Sequence, residues 1–378
     1  MKKICYIVTI PGTIESFFVP QLKYLSENNL EVYVICSYDK TIQSMIGDKV
    51  KYIPVDIPRG ISFLGSVRAI LELKKVFKNE KFDLIQYSTP NASLYAAIAS
   101  KLAKCKIRNY HCMGFRYLGF HGLSRFIFKV LEKLTCYLST NIECVSKSNL
   151  EWGIRDKLFS KQKATVIFNG STGGVDLNKF NNAYKENWKK EIRCKHHLND
   201  NDFVYGFVGR ITRDKGINEL LEAFLSIENE AKLLMVGEFE DNNNLDCKLL
   251  EQAEINKNII WAGKSNLVEK YYAAMDVLIL PSYREGFGNV VIESEAMGTP
   301  VIVSEIPGPT DASEQNKTAL WVKPKNSESL KQAMKYIMIN PEKRKEMGNY
   351  CVKFVRNNFD EKLLNEEILK RKRKLLDE

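Results

Sequence analysis

The 378-residue chain contains no hydrophobic run as long as the roughly 18 residues that a helix needs to cross a bilayer. Its nine cysteines lack CxxC spacing and several stand in apolar strand patterns, so we expect reduced thiols in a cytoplasmic protein. The chain also lacks two common glycine-rich phosphate signatures, GxGxxG and GxxxxGK(S/T). These absences exclude a membrane-spanning protein, a disulfide-rich secreted domain, ordinary NAD binding and a P-loop.

A net positive charge is missing from the second half of the chain. Residues 1–180 contain 26 of the 56 Lys and Arg and 14 of the 46 Asp and Glu, which leaves 30 and 32 for residues 181–378. A basic first half fits an anionic partner such as a nucleic acid, an anionic membrane face or a phosphorylated acceptor, although charge also serves solubility. Because no nucleic-acid-binding module is recognisable, we expect no nucleic-acid partner.

Short apolar segments alternate with helical patterns along both halves. The first half has seven strand candidates: Ile4 to Thr9, Glu31 to Cys36, Lys51 to Pro54, Leu84 to Tyr87, Ile107 to Cys112, Asn141 to Val145 and Thr165 to Phe168. The second half has six: Val204 to Val208, Lys232 to Val236, Ile259 to Ala262, Val277 to Leu280, Val301 to Val303 and Ala319 to Val322. Strands separated by helices predict an α/β protein with two doubly wound, Rossmann-like domains, residues 1–180 and 181–378, facing a central ligand cleft.

The segment from Pro281 to Pro300, PSYREGFGNVVIESEAMGTP, contains the highest concentration of candidate ligand-binding residues. It follows a buried-strand pattern, and its glycine-rich turn leads into a helix that begins near Gly288 or Asn289. The unpaired N–H groups and positive dipole end of that helix would suit a phosphate. Glu285 precedes the helix and Glu293 lies about one turn inside it. A carboxylate accepts two hydrogen bonds at once, which suits the paired hydroxyls of a ribose.

Two cations belong to the same predicted sheet edge. Arg210 follows the strand that ends at Val208, and Lys215 precedes a helix that starts near Gly216. Alone they would be typical of a solvated loop, but next to the segment above they favour a diphosphate site that needs no metal. The triplet Asp200-Asn201-Asp202 precedes its strand and therefore lies at the opposite edge, so we expect turn chemistry there, no essential metal and no cofactor.

The first half offers weaker signals. Gly12 lies in a turn that we expect to lead into a helix near Glu15 or Ser16, which would allow an anion to approach the backbone. His111 follows the strand residues Ile107 to Tyr110, where a lone histidine is about as often structural as functional. The segment from Phe120 to Ser139 has apolar residues at helical spacing with interspersed Arg and Lys, a pattern typical of core packing that would also suit an anionic membrane.

The motifs GFVGRITRDKGINELLEAF and LPSYREGFGNVVIESEAMGTPVI resemble the retaining glycosyltransferases of family 4, which have the GT-B fold. Glu285 and Glu293 match the E-x7-E signature of that family. The first half is similar as well, with Gly12 in the first turn, YHCMGF around His111, ECVSKSN and NGSTGGVD. The first turn departs from the more usual double-glycine form. The likeness covers nearly the whole chain, and it implies a last helix that returns to the first domain.

The resemblance implies roles for individual residues. Arg210 and Lys215 would bind the donor diphosphate, Glu293 the ribose hydroxyls, and Glu285 the donor sugar. His111 would reach the donor sugar from the other domain, and the catalytic set would be His111, Glu285, Arg210 and Lys215. The remaining donor-binding positions would be Gly12, Gly263 and Lys264 near the base, and the turn Gly286, Phe287, Gly288 and Asn289.

The implied activity is transfer of a hexose or N-acetylhexosamine from a UDP-sugar to a polyprenyl-diphosphate-linked glycan, with retention, in bacterial capsule, O-antigen or related synthesis. The first domain would bind the acceptor and touch the inner face of the cell membrane peripherally, and the second would bind the nucleotide sugar. One alternative is a nucleotide-sugar 2-epimerase of the same fold. The other is a non-catalytic partner subunit of a transferase.

Overall fold

The chain forms two compact units. The computed structural model describes residues 1–60, 62–227, 231–240 and 244–377. Met1–Gly173 together with Lys362–Glu378 form the first unit, and Gly174–Glu361 form the second. The boundary predicted after residue 180 therefore lies slightly too far along the chain, and the predicted second domain is too long at its end because the last helix packs with the first unit; residue 378 itself lies outside the described residues.

The first unit is built on a seven-stranded parallel sheet with the order β3-β2-β1-β4-β5-β6-β7. Its strands are β1 (Lys2–Ile7), β2 (Leu30–Cys36), β3 (Val50–Pro54), β4 (Leu84–Tyr87), β5 (Ile107–Cys112), β6 (Asn141–Cys144) and β7 (Ala164–Val166). Its helices include α1 (Pro11–Phe17), α2 (Val19–Glu27), α3 (Ile42–Ile46), α4 (Phe63–Glu80), α5 (Pro90–Leu102), α6 (Gly122–Leu138) and α7 (Lys147–Arg155), with 3-10 turns at Arg116–Gly119 and Lys161–Lys163.

The second unit has a six-stranded parallel sheet with the order β10-β9-β8-β11-β12-β13. Its strands are β8 (Val204–Val208), β9 (Lys232–Val236), β10 (Ile259–Gly263), β11 (Val277–Leu280), β12 (Val301–Ser304) and β13 (Ala319–Val322). Its helices are α8 (Lys185–Lys195), α9 (Ile217–Leu225), α10 (Cys247–Ile255), α11 (Val268–Ala274), α12 (Asn289–Ala296), α13 (Ser327–Ile339) and α14 (Pro341–Asn358), with 3-10 turns at Asn182–Tyr184 and Arg213–Lys215.

The last helix, α15 (Glu361–Asp377), completes the first unit. Buried leucines and Ile368 of α15 pack with α1, α2 and α3 against one face of the first sheet. The opposite face is covered by α4, α5 and the buried side of α6. Both faces of the sheet are therefore covered, which explains why the inner residues of β1 and β2 are largely apolar.

Each strand segment predicted from the sequence overlaps an observed strand, but some ends differ. Helix α1 starts at Pro11 rather than near Ser16, because proline has no N–H to lose and its fixed φ suits the first helical position. Strand β7 stops before Phe168, whose φ of 53° is incompatible with an extended strand. Strand β5 has the predicted bounds, Ile107–Cys112, so the placement of His111 after the strand was wrong and His111 lies inside it.

Two features of the described residues bear on the protein's surroundings. None of the helices in this part of the chain is both long enough and apolar enough to pass through a bilayer. All nine cysteines are described and all are free thiols, as the sequence predicted, with Cys194 and Cys247 exposed and the others buried.

Candidate active site

The turn after β8 places two predicted cations at the carboxyl edge of the second sheet. Arg210 is 53% exposed, and its NH1 donates to both carboxylate oxygens of Glu240 at 2.8 Å. Lys215 ends a 3-10 turn and precedes Gly216, whose φ is 72°. A Cβ at Gly216 would collide with the carbonyl oxygen of Pro281. Only glycine therefore allows this turn to lie against the end of β11.

This close approach joins Lys215 to Glu285. Lys215 Nζ lies 2.6 Å from Glu285 Oε1, and the two side chains are only 18% and 12% exposed. Ser282 Oγ donates to the same carboxylate oxygen at 2.8 Å. The backbone N–H of Tyr283 donates to the carbonyl of Asp214 at 2.9 Å and ties the two loops together. A cation and a carboxylate that are distant in sequence thus share one partly enclosed place.

Helix α12 begins directly beside this pair, at Asn289, as predicted. Its first turn contains no acidic residue, so nothing in that turn opposes an anion at the positive end of the helix. The Phe287 ring is 4% exposed and packs edge-on against Phe359, with 5.5 Å between the ring centroids. Phe287 therefore anchors the turn, and only its backbone remains for a ligand.

Glu293 lies one turn inside α12 and is partly exposed. Tyr272, on α11, donates its hydroxyl to Glu293 Oε2 at 2.8 Å. Burial raises the pKa of Glu293 above its ordinary value, while the hydrogen bond from Tyr272 acts in the opposite direction. The tyrosine holds one carboxylate oxygen in place, a geometry that suits the pair of ribose hydroxyls expected here.

Three neighbouring strands of the second sheet end in glycine. Gly209 follows β8, Gly237 follows β9, and Gly263 ends β10. The φ of Gly237 is 155°, and a Cβ there would collide with the carbonyl oxygen of Gly209, so only glycine fits. Gly263 has open space on its Cβ side, and the Lys264 side chain is 67% exposed. Bare backbone at this edge leaves room for a flat ring such as a base.

The acidic triplet lies where the sequence placed it, before β8 and so at the opposite sheet edge. Asp202 Oδ2 accepts from the Asn199 N–H at 2.8 Å. The carbonyls of Asp200 and Asp202 accept from the buried Arg193 guanidinium at 2.9 and 3.0 Å. The triplet forms a turn, and no group of three or more His, Cys, Asp or Glu suited to a metal occurs among residues 1–60, 62–227, 231–240 and 244–377.

His111 is the one candidate of the first unit with a defined environment. It is 7% exposed, and its Nδ1 lies 3.2 Å from Ser88 Oγ. Phe18 packs edge-on against the ring at 5.6 Å between centroids. Burial lowers the pKa of His111 to about 4, so the imidazole is neutral near pH 7. A neutral imidazole can donate or accept a hydrogen bond at this edge without carrying charge.

Gly12 lies within the first turn of α1 and is exposed. Nothing would obstruct a Cβ there, so the position does not demand glycine. The neighbouring strand ends are tied by Thr9 Oγ1 and Thr89 Oγ1 at 2.8 Å. The first turn is thus held by hydroxyl contacts rather than by a glycine-dependent backbone.

Several positioning residues escaped sequence reasoning. Ser282 and Tyr272 hold Glu285 and Glu293, and Gly237 completes the glycine edge. Gly237 could have been predicted from the sequence, because it directly follows an apolar strand pattern as Gly209 does. The hydroxyls of Ser282 and Tyr272 could not have been predicted, because serine and tyrosine occur at many other positions in the sequence.

Two family models match the chain in sequence. The model described as "Glycosyl transferase 4-like" matches residues 3–146. The model described as "Glycosyl transferases group 1" matches residues 189–354. The first match lies in the first unit and the second lies in the second unit, so the two matches follow the division of the fold.

Two named relatives are similar in sequence to nearly the whole of this chain. A capsular polysaccharide biosynthesis glycosyltransferase, CapM of Staphylococcus aureus, is 29% identical over 97% of this chain and 96% of its own length. An N,N'-diacetylbacillosaminyl-diphospho-undecaprenol alpha-1,3-N-acetylgalactosaminyltransferase of Campylobacter jejuni is 27% identical over 95% of each chain.

Solved structures agree on the fold. The Anabaena protein HepE in complex with UDP superimposes with a TM-score of 0.79, covering 98% of this chain and 99% of HepE at 17% identity. At that identity the likeness concerns the fold alone. Together with the two family matches and the relatives above, it shows that the chain is a glycosyltransferase of the GT-B fold, with a glycosyl transferase 4-like domain followed by a glycosyl transferases group 1 domain.

Proposed function

We propose that the protein transfers a hexose or N-acetylhexosamine from a UDP-sugar to a hydroxyl of a polyprenyl-diphosphate-linked glycan, with the anomeric configuration retained, in the synthesis of a bacterial surface polysaccharide. The names of the relatives support the acceptor class, since the Campylobacter enzyme is named for a diphospho-undecaprenol acceptor. The observation that carries the donor assignment is the Lys215–Glu285 pair beside the start of α12.

In this proposal the donor diphosphate lies between Lys215, Arg210 and the first N–H groups of α12. Arg210 presents a planar fork and Lys215 a compact charge, and together they balance an anion without a metal. The ribose hydroxyls pair with Glu293, the base occupies the glycine edge near Gly263 and Lys264, and Glu285 faces the sugar. Gly12 and His111 would complete the donor contacts from the first unit.

The reaction breaks the bond between the anomeric carbon and the diphosphate oxygen, and forms a bond from that carbon to the acceptor oxygen on the same face. The acceptor proton passes to the departing diphosphate. The protein's part is electrostatic: Lys215, Arg210 and the α12 N–H groups stabilise the negative charge that grows on the diphosphate. No covalent sugar–enzyme intermediate is required in this mechanism.

The test is a transfer assay with the full chain. A panel of UDP-sugars is incubated with a polyprenyl-diphosphate-linked N-acetylhexosamine, and mass spectrometry and NMR identify the product and its anomeric configuration. We expect one added sugar with the configuration of the donor. An inverted linkage would contradict retention, an epimer formed from donor alone would favour the 2-epimerase, and UDP binding without turnover of any pair would favour a non-catalytic subunit.

We also propose that the first unit rests on the anionic inner face of the cell membrane through exposed apolar residues of α4 and α6, here called the α4–α6 face. Both helices pack against α5, on the same side of the sheet. The exposed members are Phe63, Leu64, Val67 and Leu71 on α4 and Leu123, Phe126, Ile127, Val130, Leu134 and Tyr137 on α6.

The charges around the α4–α6 face suit an anionic lipid surface. Helix α6 carries Arg125, Lys129 and Lys133, and its single carboxylate, Glu132, is buried and accepts from the Tyr110 hydroxyl at 2.6 Å. Each cation near an anionic surface contributes about 1 kcal/mol of attraction. Apolar side chains that enter the interface add to that attraction.

Vesicle flotation tests this contact. We expect the full chain to bind vesicles that contain phosphatidylglycerol more strongly than pure phosphatidylcholine vesicles. Phe126→Asp combined with Ile127→Asp should lower binding more than tenfold while UDP affinity stays unchanged. Ile255→Asp, at an 83% exposed apolar position of the second unit, is the matched control. Equal loss in both variants would remove the α4–α6 face as the contact.

A further inference from the structure

A row of polar side chains crosses one face of the first sheet, where central strands are normally apolar. Tyr6 on β1, Gln86 on β4, Asn109 on β5 and Glu143 on β6 are each exposed by 2% or less. They lie on the face that α1, α2, α3 and α15 cover. Burying such groups is costly unless each finds a partner, so the row needs a specific compensating group.

Helix α15 supplies that group for Gln86 and Glu143. Lys372 is fully buried, and its Nζ lies 2.6 Å from both Gln86 Oε1 and Glu143 Oε2. Asn109 Nδ2 donates to the same Gln86 oxygen at 2.9 Å. Arg371 Nε lies 3.7 Å from the second Glu143 oxygen. One lysine from the end of the chain thus joins β4 and β6 across the intervening β5.

His111 stands in the middle of this arrangement. It is the direct neighbour of Glu143 in the pairing of β5 with β6. His111, Gln86, Glu143 and Lys372 also line one small cavity beneath the sheet edge. Strand β5, which carries His111, therefore lies between two strands whose side chains, Gln86 on β4 and Glu143 on β6, both bond to Lys372.

A buried ion pair is weak evidence for stability alone, because well-packed apolar residues would often serve as well or better. Its place directly below His111 points to another use. We propose that Lys372 and Glu143 are positioning residues for His111. Through Lys372, the last helix, α15, thereby contributes to the first unit's site. This inference rests on the proposed function, because it assumes that His111 takes part in the transfer reaction.

Burial and two charged residues, Glu143 and Lys372, determine the pKa of His111. Burial lowers the pKa of His111, Glu143 raises it and Lys372 lowers it. Although burial by itself would raise the pKa of Glu143, the charge and hydrogen bond of Lys372 keep it below its ordinary value, so the pair is ionised. Burial raises the pKa of Tyr6 well above its usual value, so that group stays neutral. Arg371 faces Glu143 rather than the imidazole.

Cys144 also lines the cavity, and a hydrogen bond with Cys112 together with burial raises its pKa, so it adds no charge. Helix α2 contributes only Gln21, beside the Phe18 ring that precedes it. Lys372 and Glu143 are therefore the two charges that act on His111 directly. Because Lys372 lowers the pKa of His111 and Glu143 raises it, we expect the pKa of His111 to rise when Lys372 is removed.

The experiment is a histidine-detected NMR titration of the full chain without substrate. His111→Gln assigns the His111 signal among the four histidines. In Lys372→Met we expect the pKa of His111 to move upward, and the acid limb of the kcat profile to move to higher pH with it. Leu375→Ala, which removes a buried apolar contact of α15 but no charge, should leave the pKa of His111 in place. An unchanged His111 pKa in Lys372→Met, or an equal shift in Leu375→Ala, would overturn the proposal.

Lys372→Met combined with Glu143→Gln covers the case in which the single variant does not fold. This variant keeps the size of both side chains and leaves neither member of the buried Lys372–Glu143 pair charged. We expect it to fold and to bind UDP like the wild type, with kcat lower by roughly 10- to 100-fold, the scale on which a small misplacement of a working group lowers turnover. Wild-type kcat in the folded double variant would overturn the proposal.

The two proposals can fail separately. A chain that binds UDP but transfers no sugar contradicts the proposed function, while the titration of His111 still tests the positioning pair. A transferase whose His111 titrates identically with and without Lys372 contradicts only the positioning pair.

Discussion

The two units use charge at their sheet edges in opposite ways. In the second unit Arg210 stands on a loop, 53% exposed, and its partner Glu240 is 48% exposed. In the first unit Lys372 and Glu143 lie beneath the strand ends, 1% and 3% exposed. Exposed ion pairs contribute about 0–1 kcal/mol, whereas removing one partner of a buried pair costs about 3–5 kcal/mol. The second unit therefore keeps its charges available for a ligand, and the first unit uses its charges to hold a neutral histidine in place.

The largest effect on stability should come from the buried pair. Lys372→Met removes the nearer of the two cations that face the buried Glu143 carboxylate and leaves only Arg371, at 3.7 Å, so we expect the first unit to lose about 3–5 kcal/mol of unfolding free energy. Hydrogen exchange of the β4, β5 and β6 amides measures this loss. Lys370→Met, at an exposed pair on the same helix, should cost about 0.5 kcal/mol or less. Comparable losses in the two variants would remove the contrast between the units.

The largest effect on turnover should come from Lys215. Lys215→Met removes the enclosed cation, and we expect kcat to fall by roughly 100- to 1000-fold, or about 3–4 kcal/mol, as for other donors that stabilise a growing anion. Arg210→Met should cost about 10- to 100-fold, the scale of one charge-assisted hydrogen bond. Steady-state kinetics with a saturating donor measures both effects, and thermal unfolding should show both variants folded. A Lys215→Met enzyme with wild-type kcat would contradict the diphosphate assignment.

A partly buried lysine of the second unit, Lys185, gives a further prediction, on how stability depends on pH. Lys185 Nζ donates only to neutral oxygens, the Gly298 carbonyl at 2.8 Å and Thr299 Oγ1 at 3.2 Å. Burial lowers its pKa from 10.5 to about 8. Between these values the unfolded chain holds a proton that the folded chain has released, so stability should rise as pH increases from about 8 to 10.5. Urea unfolding of the second unit at several pH values tests this, and Lys185→Met should flatten the rise; an equal slope in both proteins would contradict it.

The smallest effect should come from the acidic triplet. Asp202→Ala removes one turn hydrogen bond to the Asn199 N–H, worth about 0.5–1.5 kcal/mol, at the sheet edge away from Lys215. We expect turnover within about twofold of the wild type, far closer than in either cation variant, and equal activity with EDTA or Mn2+. A loss as large as that of Arg210→Met, or a loss in EDTA that Mn2+ restores, would assign the triplet a catalytic role.

The second unit's candidate site was largely visible in the sequence. Arg210 and Lys215 lie in the loop after β8, α12 begins at the end of the loop after β11, and parallel strands bring their carboxyl ends to one edge. The contact between Lys215 and Glu285 was not visible, because it depends on Gly216 lying against Pro281, 65 positions away in the chain. The hydroxyls of Ser282 and Tyr272 were missed for a similar reason, since a hydrogen-bond partner is a matter of position and not of pattern.

The first unit's site was much less predictable. His111 was a candidate, but its placement inside β5, the edge-on Phe18 ring and the neutral state of its imidazole all depend on burial. Lys372 stands in a strongly charged C-terminal stretch beside exposed lysines, and sequence reasoning did not single it out. Its helix faces the sheet through Leu364, Ile368, Lys372 and Leu375, so the lysine occupies an otherwise apolar stripe.

The sequence by itself determined the alternation of strands and helices, the class of fold and the family motifs, because these depend on periodicity and on residues that are close neighbours in the chain. Only the tertiary structure decided which charges are buried and which partner each ionisable group meets. The physical reason is that burial and pairing arise between residues far apart in sequence, and no local pattern records the energy of such a contact.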